Sequence, residues 1–284
     1  FYRICFVMMP RNILITGATR GLGLAFAERL AKRGHNIFLT DISSGASSVY
    51  GEAKNPNDIT SGLCNLAPDH GTSQFHFAPA DLTEHVEALR LIKAAWEKLG
   101  YLDVVIANAG GDIVGLDEDA SGGKPDNNSS QISPNQHKEV FDRNYLTCWN
   151  TLTPVAPFMA KRGFGKLITL SSVNASFGMS TETAYSAAKA AVVHLTRSMA
   201  SEWRDVGISA NCLMLGPTRT GRFVSTLANR SPHDLEAFSA SGRLTRIAST
   251  DDAADVMEFL VEEKSDYISG QVLRVDGGRF PQPV

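Results

Sequence analysis

Tyr185 and Lys189 stand four residues apart in Ala184-Tyr185-Ser186-Ala187-Ala188-Lys189-Ala190-Ala191, and Ser172 lies thirteen positions before the tyrosine. In such a run of small helix formers, residues at i and i+4 share a face, so a phenol and an ammonium are predicted side by side. A fixed cation favours phenolate, bringing a group whose ordinary pKa is about 10 within reach of general acid/base work near neutral pH. Taken alone, Tyr-x-x-x-Lys fits a surface contact on any helix equally well.

A nucleotide loop gives the pair company. Thr16-Gly17-Ala18-Thr19-Arg20-Gly21-Leu22-Gly23 follows a short apolar run and opens a helical pattern. Glycines there let backbone approach a pyrophosphate, and the helix start offers free N–H donors and the positive end of its dipole. Asp41, 24 positions after Gly17, ends the second apolar run. A carboxylate at that point can accept from both hydroxyls of an adenosine ribose and repel a 2′-phosphate, which predicts NAD(H) over NADP(H). Arg20 argues the other way, as a basic group able to meet that phosphate.

Short apolar runs alternate with helical patterns from Asn12 onward, which predicts an α/β doubly wound (Rossmann) sheet, mostly parallel and seven-stranded, with helices on both faces. The strands are read at Ile13–Thr16, Asn36–Asp41, Phe75–Asp81, Leu102–Ala109, Lys166–Ser171, Ser209–Leu215 and Gln271–Val275. Helices are read from about Thr83 to Leu99, over Gln136–Lys161, and over Thr183–Asp205, the last carrying Tyr185 and Lys189. Two stretches rich in Ser, Gly, Asn and Pro, Ile42–Gln74 and Asp112–Asn135, are read as surface loops. The second leaves a strand carboxyl end, where ligands of open α/β sheets bind, so it is placed to border a substrate. One domain is expected over residues 11–284, behind an extension at 1–10 ahead of a start at Met8 or Met9; no small-residue cleavage site supports a signal peptide there.

Bulk properties narrow the partners. With 27 basic and 30 acidic residues and no Lys/Arg-rich block, neither nucleic acid nor an anionic membrane is an expected partner. The four cysteines are scattered without a C-x-x-C pair, as expected for reduced thiols in a cytoplasmic protein, and the seven histidines make no ligand cluster, so no metal is expected.

Thr16–Gly23, Asn108-Ala109-Gly110, Asn144, Ser172, Tyr185-x-x-x-Lys189 and Val275-Asp276-Gly277-Gly278 occur in the order and approximate spacing of the short-chain dehydrogenase/reductase family, and from Asn12 to about Arg279 the chain resembles its single-domain branch. The resemblance implies that Gly17, Arg20, Gly21, Leu22 and Gly23 hold the pyrophosphate side of the dinucleotide and Asp41 the adenosine ribose. It puts Asp81 and Leu82, ending the third strand, beside the adenine, and Asn108, Ala109 and Gly110 along the adenosine and ribose path. Where the family often has Asn-Asn-Ala-Gly this chain has Ala107 first, and where it often has Pro-Gly the chain has Leu215-Gly216-Pro217-Thr218-Arg219-Thr220. Gly216, Pro217 and Thr218 would form a reshaped loop over the nicotinamide, with Thr220 holding the carboxamide.

By the same resemblance Tyr185 is the proton donor or acceptor, Lys189 raises its acidity and bonds the ribose hydroxyls, and Ser172 donates to the substrate oxygen. Strand alternation turns Ser171 to the other face. Asn144 would be the fourth catalytic member, positioning a water that relays protons toward Lys189. Phe177, Met179, Phe223, Leu227 and Phe238 fall in the segments that form the family's substrate wall, where a medium-sized alcohol or ketone would fit; taken singly, each is also ordinary packing. A homotetramer, or a dimer, paired through the helices around Asn144 and Tyr185, is the implied assembly. The leading expectation is an NAD(H)-dependent alcohol dehydrogenase or carbonyl reductase. The alternatives are an NADPH-dependent 3-oxoacyl thioester reductase and a catalytically silent dinucleotide sensor. Asp41 weighs against the first, and the intact Ser172, Tyr185 and Lys189 against the second.

Overall fold

Runs of Ile, Leu and Val flanked by turn residues become the strands of one sheet in a computed structural model that describes residues 9–52, 55–68, 72–115, 122–125, 128–229 and 232–281. In chain order the elements are β1 (Asn12–Thr16), α1 (Gly21–Ala31), β2 (Asn36–Thr40), α2 (Pro56–Leu66), β3 (Phe75–Phe77), α3 (His85–Leu99) and β4 (Val104–Ala107). They continue with α4 (Pro134–Phe141), a π-helical turn (Asp142–Leu146), α5 (Thr147–Arg162), β5 (Gly165–Ser172), α6 (Thr183–Glu202) and β6 (Ile208–Leu215), and then α7 (Gly221–Ser225), α8 (Pro232–Ser239), α9 (Thr250–Val261) and β7 (Val272–Val275). The strands lie in the order β3-β2-β1-β4-β5-β6-β7, and every pair is parallel. Chain order reverses direction between β1 and β4, and the crevice beyond their carboxyl ends is where such sheets take ligands.

Strands buried on both faces read as near-continuous apolar runs, and their alternation divides the core. Ile13, Ile15, Ile37 and Ile106 face a layer that includes Phe26 and Leu30 of α1 and Met257 and Leu260 of α9. Leu14, Phe38, Val105 and Leu167 face Leu91 of α3, Leu152 and Met159 of α5, and Leu195 of α6. Among the described residues no helix is long and apolar enough to cross a membrane, and Cys64, Cys148 and Cys212 are free thiols. Cys5 and most of the expected N-terminal extension lie outside the described residues.

Several expected boundaries move, each for a local reason. The stretch Ile42–Gln74 is not simply a loop, for it holds α2, which begins where Asn55 accepts from the N–H groups of Asn57 and Asp58 with Pro56 at the first helical position. β3 stops at Phe77 rather than Asp81, because Pro79 has no N–H for the ladder and the Asp81 carboxylate accepts from both Thr83 N and Thr83 Oγ1. That places Asp81 and Leu82 in the turn before α3, which starts at His85 instead of Thr83. β4 ends at Ala107, since the N–H groups of Asn108 and Ala109 turn to the Thr16 hydroxyl. The helix read over Gln136–Lys161 starts at Pro134, capped by Ser133, and widens into the π-turn that carries Asn144. α6 ends at Glu202, short of Asp205, before a tight turn closed by Gly207 at φ +78°.

His35 closes the β1–β2 edge of the core. It is 1% exposed, and its Nδ1 accepts from Arg11 N at 3.1 Å. Burial, reinforced by the Arg11 charge, pulls its pKa from 6.5 to about 4. The folded state therefore resists protonation while the unfolded chain does not, so stability is intact above pH 6.5 and falls as pH drops through the window to about 4. Urea unfolding at pH 7.5 and pH 4.5 should show a loss at the lower pH of at most about 3 kcal/mol from this residue. That increment should be missing in His35→Gln.

Candidate active site

A cavity of about 990 Å³ opens at the carboxyl ends of β1, β4, β5 and β6. Every residue expected to bind cofactor or to act in catalysis lines it, with two exceptions, Gly23 and Asn144.

Gly23 lies behind the glycine loop. A Cβ on it would fall 2.1 Å from Gly17 O and 2.8 Å from Asn108 Nδ2, so the residue lets α1 start against the loop and does not touch a ligand. The loop is held from β4. Asn108 Nδ2 donates to Thr16 O and Gly17 O, each at 2.9 Å, while Thr16 Oγ1 accepts from Asn108 N at 3.0 Å and Ala109 N at 2.9 Å. The Asn108 amide thus ties the end of β4 to the glycine loop, and the residue lines the cavity beside Ala109 and Gly110. Thr16 is the partner that sequence reasoning passed over; its place just before the first glycine was the available signal.

At the start of α1 the Gly21 N–H donates to the Glu52 carboxylate, whose other oxygen accepts from Gly221 N at 2.8 Å. Arg20 stacks over the Tyr50 ring with 5.4 Å between its guanidinium carbon and the ring centre. The carboxylate stands in for an anion at a helix N-terminus, which is the donor set a pyrophosphate requires. Glu52 and Tyr50 fall in the stretch read as a loop, and no local pattern marks them. Asp41 sits at the end of β2, where its Oδ2 accepts from Thr19 Oγ1 at 2.7 Å and its Oδ1 from Ile42 N at 2.9 Å. Those bonds fix the carboxylate at the cavity wall and leave lone pairs for further donors. Thr220 caps α7 by accepting from Phe223 N, and Gly216 packs where a Cβ would meet Asp276 at 2.9 Å.

The residues expected to handle the proton come from α6 and β5. Tyr185 and Lys189 lie on one face of α6, with Lys189 Nζ 5.7 Å from the phenol ring centre. Lys189 Nζ donates to Leu170 O at 3.0 Å, and Ser171 Oγ donates to Lys189 O at 2.9 Å, so β5 fixes both ends of the lysine. Ser171 is thereby turned onto α6, and Ser172 alone faces the phenol. Ser172 Oγ accepts from Asn174 N at 3.3 Å and favours the phenolate of Tyr185.

The electrostatics differ from the simple pairing. Burial pushes the Tyr185 phenol up, the Glu182 and Asp112 carboxylates push it further, and Ser172 and Arg222 only partly offset them. Burial also lowers Lys189 to about 8. The same exclusion of water thus moves the two groups in opposite directions, the phenol up and the ammonium down.

Asn144 is 1% exposed in the π-turn. Its Nδ2 donates to Gly111 O and Val140 O, each at 2.8 Å, and its Oδ1 accepts from Gly111 N at 2.9 Å. Both amide hydrogens are taken in holding the strand end next to Lys189, while Oδ1, with one N–H accepted, keeps a lone pair. Of the expected substrate wall, Phe177 stacks on Phe280 at 4.7 Å between ring centres, and both line the cavity with Met179. Phe223 and Phe238 stack on each other within a small core with Ala237 and Ile247. The Asp112–Asn135 stretch folds back through a Val114–Gly123 bridge and contributes Asp112, Ile113 and Lys124 to the cavity; residues 116–121 and 126–127 lie outside the described residues. Among the described residues there is no group of three or more His, Cys, Asp or Glu that could hold a metal.

The fold and this cavity define a doubly wound nucleotide-binding protein with an oxidoreductase's proton-handling groups. Residues 11–231 match the short chain dehydrogenase family, and the chain belongs to it. It is 29% identical over 273 residues to the 3-oxoacyl-[acyl-carrier-protein] reductase FabG of Staphylococcus aureus, covering 96% of this chain and 99% of that one. It is 30% identical over 273 residues to the oxidoreductase UcpA of Escherichia coli O157:H7, covering 94% of each. Among solved structures, levodione reductase superposes with a TM-score of 0.80 at 25% identity, covering 95% of this chain and 97% of that one. The 7 alpha-hydroxysteroid dehydrogenase complexed with NADH shares the fold at a TM-score of 0.80 and 24% identity, covering 98% of each chain.

The clamp between β1 and β4 makes a direct prediction. Asn108→Ala strands two carbonyls of the glycine loop and should lower the free energy of unfolding by about 2 kcal/mol, read from urea melts. Dinucleotide affinity should weaken with it.

Proposed function

We propose that this protein is an NAD(H)-dependent oxidoreductase of the short-chain family, acting on a secondary alcohol or the corresponding ketone. The observation that carries the reading is that Tyr185, Ser172 and Lys189 line one cavity together with the α1 N-terminus, where Gly21 N–H meets a carboxylate, and with Asp41. Glu52 at the Gly21 N–H supports the fit of a dinucleotide there.

When bound, the nicotinamide supplies or accepts the hydride. Gly17, Gly21, Leu22 and Arg20 hold the pyrophosphate side, Asp41 takes the adenosine ribose, and Thr218 and Thr220 close over the carboxamide end. Ser172 donates to the substrate oxygen and stabilises the charge that develops on it. Tyr185 gives its proton to that oxygen in reduction and takes it back in oxidation. A phenol pushed up by burial favours the protonated form that reduction needs. Lys189, tied to Leu170 O, keeps its remaining donors for the ribose hydroxyls and the Tyr185 oxygen. A cytoplasmic homo-oligomer paired through α5 and α6 belongs to the same reading, and exposed Trp149 and Phe158 on α5 support it.

The FabG relative supports a second reading, reduction of a 3-oxoacyl thioester with NADPH. Initial rates with NADH and NADPH, measured on a panel of alcohols and ketones, separate the two. We expect NADH to be preferred, and Asp41→Ala to raise kcat/KM with NADPH at least about 10-fold by removing the charge that repels a 2′-phosphate; a wild-type preference for NADPH would overturn the cofactor assignment. Tyr185→Phe should cut kcat about 1,000-fold on whichever substrate the panel reveals, with KM little changed. Unchanged turnover would leave the phenol outside the chemistry.

A further inference from the structure

Among the charged groups that line the cavity and have no part in the reaction as described are Asp112, Lys124, Glu182 and Arg222. Three of them pair with one another, Lys124 bridging the two carboxylates. Lys124 Nζ bonds Asp112 Oδ2 at 2.9 Å and also the Glu182 carboxylate, while the amides of Asn128 and Asn174 donate to Asp112 and Glu182. Glu182 is held there in the left-handed region at φ +63°, the one non-glycine residue with positive φ among those described. Strain of that kind persists where neighbours over-determine it, and here the neighbours are the polar cluster beside Tyr185.

Arg222 is different. It stands on α7, two residues after Thr220, and its Nη1 lies 3.9 Å from where a Cβ on Gly111 would be. Gly111 is the residue whose N–H and C=O are both bonded by Asn144. The guanidinium is therefore aimed at the strand end behind which Lys189 sits, and its charge reaches the Tyr185 phenol. Among the described residues none of its guanidinium nitrogens has a hydrogen bond or an ion pair, and the half-buried side chain lines the cavity. An unpaired guanidinium on a cavity wall is open to an incoming anion, and its planar fork matches a carboxylate.

We propose that Arg222 anchors a carboxylate of the substrate, so that the alcohol or ketone handled at Tyr185 is a hydroxy acid or an oxo acid. This rests on the reading of Tyr185 as the proton donor. Substrate hydroxyls or a second polar group would then meet Lys124, Glu182 and Asn174, whereas a purely apolar acyl chain would leave that cluster unmet.

The same fork would also suit the cofactor's pyrophosphate, and the test separates the two anions. Linear oxo acids, from 2-oxo to 5-oxo, are compared with their primary amides as substrates with NADH, and NADH affinity is measured by fluorescence, in wild type, Arg222→Met and Arg222→Lys. In the wild type we expect at least one acid to exceed its amide about 30-fold in kcat/KM. Arg222→Met should bring that ratio to within about threefold of one, Arg222→Lys should retain an intermediate ratio, and NADH affinity should move less than about twofold in both. Turnover of neutral ketones with no acid preferred over its amide overturns the carboxylate anchor and leaves the dehydrogenase reading standing. A loss of NADH affinity of about 10-fold or more in Arg222→Met overturns it too, assigning the guanidinium to the pyrophosphate. Absence of turnover on every carbonyl and alcohol overturns the hydride-transfer reading itself.

Discussion

Asn108 spends both hydrogens of its side-chain amide on the carbonyls of Thr16 and Gly17, and the Thr16 hydroxyl returns the contact by accepting two backbone N–H groups from the end of β4. The bonds lie where the sheet changes direction, between the two strands whose divergence opens the crevice. Without them the glycine loop and the β4 end would be two independent loops, and the distance between a bound pyrophosphate and the Tyr185 wall would not be set. Gly23 depends on the same clamp, for the close approach of α1 to Gly17 is possible only while Asn108 holds the loop in place.

From that fixed edge the site is built by burial as much as by contact. Tyr185 and Lys189 are set by α6, but their titration is set by the walls around them: exclusion of water raises one and lowers the other, and the Glu182 and Asp112 carboxylates add to the burden on the phenol. Such a pair holds its proton until a positive charge arrives next to it. The oxidised nicotinamide carries that charge, so in this reading cofactor binding and acidity of the catalytic phenol are linked. Asn144 contributes by geometry, since its amide ties Gly111 to the π-turn and keeps the floor of the site beside Lys189.

The strands, the glycine loop and the Tyr185-x-x-x-Lys189 pair were legible in the chain because each depends on local periodicity or spacing. The run Ile42–Gln74 was less so: its Ser, Gly, Asn and Pro content suits a loop, yet Asn55 and Pro56 together start a helix. The continuous helix read over Gln136–Lys161 concealed a π-turn, since the apolar pattern runs through it and only the capture of Val140 O by the Asn144 side chain accompanies the extra width. Glu52, Phe280 and Arg222 carried no sequence signal, because each reaches the cavity from a segment distant in the chain from the motifs.

The sequence by itself determined the order of strands and helices, the phosphate-facing glycines and the side chains able to move a proton, since these follow from short-range spacing. Tertiary structure alone decided which of those side chains remain available. It turned Ser171 onto α6 and left Ser172 facing the phenol, engaged the amides of Asn108 and Asn144 in holding the frame, and put a carboxylate where a phosphate is expected. It also left the Arg222 guanidinium without a partner among the described residues. Hydrogen-bond partnership and desolvation arise from residues brought together across the sheet, and no spacing along the chain encodes them.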